Sequence, residues 1–219
     1  MQFLEGLPQR YLTLFDPDSI YQHVRLRRNI GPDDVHSFLS RKGEARELTV
    51  VTLDKPYLFS NVCGVLASMG ADILRGQALT SRSGLVLDVF EFVDGARVMS
   101  RVELDRLLSD VVAGRVDITA RLARPQRTQP GAAPLLHFDN DYSQRYTVLE
   151  LVAADAPGLL HHISRVLSDF GCEVDLVLIS TEADQAIDVF HMRKSGAKLS
   201  DSDQLALTEY LERAIGGSA

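Results

Sequence analysis

Two short turns carry the residue types best suited to bind a small molecule. Asp54 stands two residues before Pro56, and Asp155 two residues before Pro157, each after an apolar run and before a helical pattern. A helix that starts at such a turn presents unpaired N–H groups and a partial positive charge to an anion such as a carboxylate. The aspartate can accept hydrogen bonds from a ligand amine or amide, or it can cap the helix without any ligand.

Other side chains with chemical potential indicate no catalytic or metal site. His161 and His162 are neighbours on a predicted helix, where adjacent side chains point about 100° apart, so a surface histidine pair is favoured over a zinc site. Cys63 and Cys172 lack metal-type spacing and are predicted to be buried, reduced thiols. No serine lies in a nucleophile elbow, and no glycine-rich loop could cradle a phosphate. The sequence therefore predicts a protein that is not an enzyme and that uses no cofactor or metal.

The composition limits the kind of protein this can be. The sequence has 219 residues, a net charge of -7 and 45% hydrophobic residues, which suits one or two globular domains with apolar cores. The acidic balance argues against nucleic acid binding, because phosphates require a basic surface. No apolar run approaches the ~20 residues that cross a bilayer, and the N-terminus has no signal-type apolar region. We therefore expect a soluble cytoplasmic protein with no membrane and no nucleic acid as partner.

The sequence contains an internal duplication. Residues 48–93 recur as residues 147–192, so that the two Asp-x-Pro turns coincide. Gly70 falls on Gly171, and after a one-residue slip the Asp-Val-Phe tripeptide at 88–90 falls on the same tripeptide at 188–190. Two copies of one supersecondary unit explain these ordered identities.

Each copy contains the same predicted elements. In the first copy, a β-branched strand at 48–53 leads into a helix whose apolar residues recur every three or four positions, and a glycine ends that helix. Two strands then surround a hairpin loop at 81–84, and Ser100 caps a second helix. Segments 35–39 and 135–138 are predicted to open the two copies as hairpin strands; the alternative is that 135–138 closes the first copy.

The order strand, strand, helix, strand, strand, helix predicts an α+β fold of two units. Each unit is a four-stranded antiparallel sheet with two helices on one face. We place a helical N-terminal arm at 1–34, the first unit at 35–116, a linker at 117–134 and the second unit at 135–219. Because edge strands of such sheets pair readily, we expect edge-to-edge or face-to-face association of the units, within one chain or between chains.

Two stretches of the chain carry a family resemblance. They read LTVVTLDKPYLFSNVCGVLASMGADIL from residue 48 and TVLELVAADAPGLLHHISRVLSDFGCEV from residue 147, and the D-x-P-G-L-L turn of the second is the most specific motif. They resemble ACT domains, ferredoxin-like modules that sense small molecules in amino-acid metabolism. The match is closest to the paired C-terminal ACT domains of the bacterial bifunctional PII uridylyltransferase/uridylyl-removing enzymes, whose catalytic motifs are not found in this sequence.

This resemblance implies an amino-acid ligand at an interface between domains, held at the turn between the first strand and the first helix. The turn amides would meet the ligand's carboxylate or polar groups, and the acidic side chains would meet its amine or amide. The candidates of the second copy share this turn or the start of the next strand: Asp155, Ala156, Gly158, Leu159, Leu160 and Glu173. The candidates of the first copy are Asp54, Lys55 and Asp72.

The first copy departs from the family pattern at its turn. Tyr57 replaces the glycine, so the close approach of a ligand is blocked or altered, and Lys55 adds a positive charge. We interpret this site as degraded to a structural copy, the alternative being a site retuned for another ligand. Asp88 and Asp188 lie in predicted strands and are interpreted as paired structural residues or interface residues, with no chemistry assigned.

These observations predict a regulatory protein that senses a small amino acid, glutamine by resemblance, in nitrogen or amino-acid metabolism. Its predicted partners are that amino acid, a second copy of the chain in a homodimer, and a protein of nitrogen signalling. Two alternatives stay open: a ligand-free dimerisation or docking module, and the regulatory part of a split PII uridylyltransferase.

Overall fold

The computed structural model describes residues 6–7, 11–95, 98–122, 133–182 and 185–215. Within these ranges the strands are β1 (Val35–Lys42), β2 (Ala45–Leu53), β3 (Ala71–Thr80), β4 (Leu85–Asp94), β5 (Leu135–Asp139), β6 (Thr147–Ala154), β7 (Cys172–Glu182) and β8 (Gln185–Lys194). The α-helices are α1 (Tyr11–Leu14), α2 (Pro17–Leu26), α3 (Leu58–Ser68), α4 (Arg101–Val112), α5 (Leu159–Asp169) and α6 (Asp201–Ile215). None of the helices in these ranges is long and apolar enough to span a membrane.

The strands form one antiparallel sheet in the order β1-β2-β4-β3-β7-β8-β6-β5. The first four and the last four strands are the two predicted units, and they meet edge to edge where β3 pairs with β7. This junction is short, because its register comprises Arg75 with Leu178, Gly76 with Val177 and Gln77 with Leu176. The predicted α+β fold of two four-stranded units is confirmed, and so is their edge-to-edge association within one chain.

Each unit opens with a hairpin, as expected from the upstream apolar segments. β1 pairs with β2, and β5 pairs with β6 through registers such as Phe138 opposite Leu149. The segment at 135–138 therefore pairs within the second unit and does not close the first. The predicted Ser100 cap also forms, because its side chain accepts from the Glu103 N–H at the start of α4. At the start of α2, Asp16 caps the helix by accepting from the Ser19 N–H at 2.9 Å.

One apolar core extends through both units beneath the helices. It includes Phe90 and Phe190, which are fully buried at equivalent positions of β4 and β8. Cys63 and Cys172 lie in the same core as free thiols, as predicted. Ile118 also belongs to this core and is 1% exposed, so the first residues of the predicted linker at 117–134 pack against the helices. Residues 123–132 of that linker lie outside the described ranges.

The helical arm covers the opposite face of the first unit's sheet. Tyr11 is 1% exposed and packs in a second apolar cluster with Val51 and Leu87. Its hydroxyl lies 2.9 Å from Nδ1 of His23, and burial lowers the pKa of His23 to about 4. The arm therefore explains why β2 is apolar on both of its faces.

Candidate functional site

Two cavities lie at the two Asp-x-Pro turns, where the units meet. The Gly158 niche has a volume of about 260 Å³ and is lined by Cys63, Ala67, Gly70, Ala71, Asp72, Ile73, Asp155, Ala156, Pro157, Gly158, Leu159, Leu160, His161, Ile179, Thr181, Ala186 and Asp188. The Tyr57 niche has a volume of about 440 Å³ and is lined by Asp54, Lys55, Pro56, Tyr57, Leu58, Phe59, Ala78, Thr80, Val86, Asp88, Ser164, Ser168, Gly171, Cys172, Glu173 and Val174. Apart from His161, their linings correspond position by position, so the duplication has produced a pair of related cavities.

Each niche takes its walls from both units. The turn and two strands come from one unit, and the end of the first helix and the start of the next strand come from the other. Asp72 therefore faces the turn of Asp155, and Glu173 faces the turn of Asp54. The pKa shifts are consistent with these positions. Burial and then the charge of Asp155 raise the pKa of Asp72. Burial and, to a smaller extent, the charge of Glu173 raise the pKa of Asp54.

This arrangement corrects one grouping from the sequence. We grouped Glu173 with Asp155 because both lie in the second copy, but the structure places Glu173 in the Tyr57 niche and brings Asp72 to Asp155. The reason is the pairing of β3 with β7, which sets the end of α5 against the first unit's turn. The other predicted residues line the niche of their own turn: Asp54 and Lys55 the Tyr57 niche, and Asp155, Ala156, Gly158, Leu159 and Leu160 the Gly158 niche.

The two turns share a left-handed backbone residue immediately before the helix. Gly158 has φ +81° and Tyr57 has φ +62°. A side chain in this conformation costs about 1 kcal/mol relative to glycine, so the tyrosine turn is the more strained of the two. A Cβ atom at Gly158 would lie 3.7 Å from the Leu122 Cδ1 atom, so Leu122 packs beside the turn backbone.

The backbone N–H groups at the start of α5 differ in whether they already have a hydrogen-bond acceptor. The Leu159 N–H donates to the Ala156 carbonyl at 3.0 Å, so this predicted ligand donor already has an acceptor within the turn. The Leu160 N–H lies one residue further into the first turn of α5, where N–H groups have no intrahelical acceptor. Leu160 is therefore the better candidate to contact an anionic group in the Gly158 niche.

Tyr57 lies in the wall of the cavity that bears its name. The Arg165 guanidinium lies 4.9 Å from the Tyr57 ring centroid, and a hydrogen bond to Asp169 raises the pKa of the Tyr57 hydroxyl. The Lys55 ammonium donates to Asp33 at 2.8 Å and to the Val112 carbonyl at 3.2 Å. The Tyr57 side chain therefore contacts Arg165 and Asp169 of the other unit, and the charge of Lys55 is paired with a carboxylate.

Two buried carboxyl groups that the sequence left without chemistry line the niches. Asp188 lines the Gly158 niche and Asp88 the Tyr57 niche, and each is 1% exposed. One oxygen of each, Oδ1, is buried without a hydrogen-bond partner. Burial, followed by the charge of Asp155, raises the pKa of Asp188 to about 7, and burial followed by the charge of Asp54 raises the pKa of Asp88 well above its usual range.

A sequence signal for these carboxyl groups was available. Asp88 stands between Val86 and Phe90, two residues from each, so strand alternation places it on their core-facing side. The same pattern recurs around Asp188 with Ala186 and Phe190. A carboxylate repeated on the core face of both copies indicates a site.

His161 was wrongly interpreted as half of a surface pair. It is fully buried, its Nδ1 lies 2.7 Å from the Ser60 carbonyl of α3, and burial lowers its pKa. Gly64 makes room for the ring, because a Cβ there would lie 2.8 Å from His161 Nδ1. Within the described ranges, no three histidine, cysteine or acidic side chains are arranged to hold a metal ion.

Comparison with protein families indicates the class of domain that the chain contains. Residues 135–216 match the family model described as ACR9-like, ACT-like domain. The second unit is therefore an ACT-like domain, and the first unit repeats its order of strands and helices. The chain therefore resembles a tandem of ACT-like domains.

The full-length relatives identify which tandem it resembles. The bifunctional uridylyltransferase/uridylyl-removing enzyme of Gluconobacter oxydans (strain 621H) is 32% identical over 94% of this chain and 23% of its own length. The enzyme of the same name from Azospirillum brasilense is 31% identical over 92% of this chain and 23% of its own. The predicted resemblance to the ACT pair of these enzymes is confirmed, and the chain spans about a quarter of their length. Among solved structures, an aspartate kinase from Synechocystis matches 81% of this chain and 28% of its own at 16% identity, with a TM-score of 0.42.

Proposed function

We propose that this chain is a regulatory module that binds a free amino acid, glutamine by its resemblance, in the Gly158 niche. The observation that carries the proposal is the composition of that niche: the start of α5 and acidic side chains face one small cavity between two units. Its volume of about 260 Å³ lies below the range typical of drug-sized ligands, which favours a small metabolite.

A zwitterion carries both of the charges that the residues of this niche can bind. The first turn of α5 offers backbone N–H groups and a partial positive charge to the ligand's carboxylate. Asp155 and Asp72 supply negative charge near an ammonium or amide group. A metabolite that carries only one of these two charges would use only one of these two features.

The position between the units supplies a way to signal. A ligand shifts an equilibrium between arrangements only as far as its affinities for them differ. Because the Gly158 niche is made by both units and the β3–β7 junction is three residue pairs long, an amino acid bridging its walls would favour the joined arrangement. The module would report this change to a second copy or to a protein of nitrogen signalling in the cytoplasm, without catalysis of its own.

Calorimetry with the twenty standard amino acids tests this proposal. We expect at least one of them, with glutamine the first candidate, to bind. Gly158→Tyr should weaken binding to the Gly158 niche at least tenfold, because the added side chain would crowd a cavity of about 260 Å³, smaller than the 440 Å³ beside Tyr57. Gly196→Tyr is the matched control, because Gly196 has a similar φ of +75° and open space around it, outside both niches. Absence of binding by any amino acid to the folded chain would refute the proposal.

A docking module is the second candidate, favoured by one observation. β5 is an outer strand of the sheet, and its Leu135 is 69% exposed. An outer strand with an exposed apolar residue can pair with another chain. Under this alternative, Gly158→Tyr leaves partner binding unchanged, and co-purification with a separate catalytic chain would indicate the regulatory part of a split enzyme.

A further inference from the structure

We propose that Asp188 selects the ligand of the Gly158 niche by pairing its carboxylate with a primary ammonium group, and that Asp88 does the same in the Tyr57 niche. This inference rests on the proposed function and specifies which part of the amino acid each buried side chain recognises. It also assigns a second ligand site to the first unit, which the sequence interpreted as degraded.

The argument begins with an acceptor that has no donor. Oδ1 of Asp188 is buried without a hydrogen-bond partner, and the side chain lines the cavity. A buried acceptor left unpaired is costly, and a ligand N–H entering the niche would satisfy it. An ammonium group offers three donors, whereas a carboxylate ligand group offers none.

The charges facing Asp188 favour a cation. From the neighbouring elements these are Asp155 in the turn, Asp72 in β3, Cys63 in α3 and His161 in α5. Burial raises the pKa of the Cys63 thiol and lowers that of His161, so both are uncharged near neutral pH. No lysine or arginine stands among the described residues that line this niche, so the ligand itself must supply the positive charge opposite the three carboxyl groups.

The Tyr57 niche repeats this arrangement independently. Asp88 has an unpartnered buried oxygen there and is faced by Asp54 and Glu173. The one lysine in the described lining, Lys55, is paired with Asp33. Ser164 adds a second buried oxygen without a partner, Oγ, where the Gly158 niche has Cys63. Two unsatisfied acceptors make this cavity a binding site of the same chemical class.

The proton on Asp188 gives the pairing a pH dependence. Burial and then the charge of Asp155 raise the pKa of this carboxyl group to about 7, so below that pH an ammonium ligand must displace its proton. We expect the affinity to rise about tenfold per pH unit below pH 7 and to level off above it, with a proton released on binding.

The test uses the twenty standard amino acids and their Nα-acetyl derivatives as probes. Calorimetry of the complete chain is run with the wild type, Asp188→Asn, Asp88→Asn and the double variant, in two buffers of different ionisation enthalpy. Asp141→Asn is the matched control, because Asp141 is exposed in the β5–β6 turn away from both niches. Circular dichroism confirms that each variant is folded.

We expect acetylation of the ligand's amine to weaken binding at least tenfold. Each single variant should remove one of two binding events, and Asp141→Asn should bind as the wild type does. Equal binding of free and acetylated amino acids, or unchanged affinity, stoichiometry and proton release in Asp188→Asn, would overturn the inference and leave the proposed function standing. Binding of none of the probes would overturn both. The decarboxylated analogue of glutamine, 4-aminobutanamide, further separates the inference from the proposed function. If this amine binds as tightly as glutamine, the result supports ammonium recognition and counts against an amino acid as the ligand.

Discussion

Replacing Asp188 by asparagine should remove a measurable part of the pH dependence of folding. The carboxyl group is 1% exposed and has a pKa of about 7 in the folded chain, against an ordinary value of 3.8. Below pH 3.8 both states are protonated. Between the two values the folded state keeps a proton that the unfolded state has lost, so stability falls as pH rises, and above about 7 the loss is complete.

The size of the effect follows from the two pKa values. Their difference corresponds to ~4 kcal/mol in all, of which ~3 kcal/mol is lost between about pH 5 and the plateau above pH 7. The neutral amide of asparagine matches the shape of the protonated acid and does not titrate. The wild type should therefore lose ~3 kcal/mol more stability than Asp188→Asn across this interval, after effects common to both proteins cancel.

Urea denaturation at several pH values between about 5 and 8.5 measures this difference. The Asp141→Asn control, exposed and outside the niches, should follow the wild-type curve. Parallel curves for the wild type and Asp188→Asn would show that the carboxyl group of Asp188 titrates normally, and the reasoning about its burial in the Gly158 niche would then be wrong.

Three further predictions concern packing, backbone strain and an ion pair. Gly64→Ala should destabilise the chain by about 1–3 kcal/mol in urea denaturation, because the new Cβ would lie 2.8 Å from His161 Nδ1; an unchanged midpoint would contradict the interlocked α3–α5 contact. Gly158→Ala should cost about 1 kcal/mol through its φ of +81°, and a gain in stability would contradict the assigned turn. Hydrogen bonds from Lys194 and then Ser200 lower the pKa of Asp203 to about 2, so its contribution is present above pH 3.8 and disappears as pH falls through 2. NMR titration of Lys194→Met should show the pKa of Asp203 raised part of the way towards 3.8, and an unchanged pKa would contradict the ion pair.

Local chemistry made much of the fold predictable from the sequence. Asp16 and Ser100 cap their helices because short polar side chains satisfy free N–H groups at helix starts. The two Asp-x-Pro turns were located correctly because proline fixes its own φ and favours the start of a helix over the continuation of a strand. The duplication then transferred each element from one copy to the other.

The composition of each niche depended on contacts between the copies. Aligning the copies keeps Glu173 with Asp155, whereas pairing of β3 with β7 exchanges Glu173 and Asp72 between the two turns. His161 appeared to be a surface residue because its burial requires the room at Gly64 on the other unit's helix. Such errors arise wherever a site is made by packing between repeats, because a repeat alignment describes each unit separately.

The buried strand carboxyl groups were visible but were not interpreted. Asp88 and Asp188 each lie on a strand whose alternating residues face the core. An acidic residue on such a face is usually paired, and only the structure shows that one oxygen of each has no partner and that each lines a cavity.

A crystal structure of the chain grown with a saturating concentration of the amino acid that binds in calorimetry tests the central claim most directly. We predict density for that molecule in the Gly158 niche, with its nitrogen within hydrogen-bond distance of Asp188 and its carboxylate at the first turn of α5. The same molecule bound elsewhere, with this niche closed by the protein's own side chains, would contradict the account.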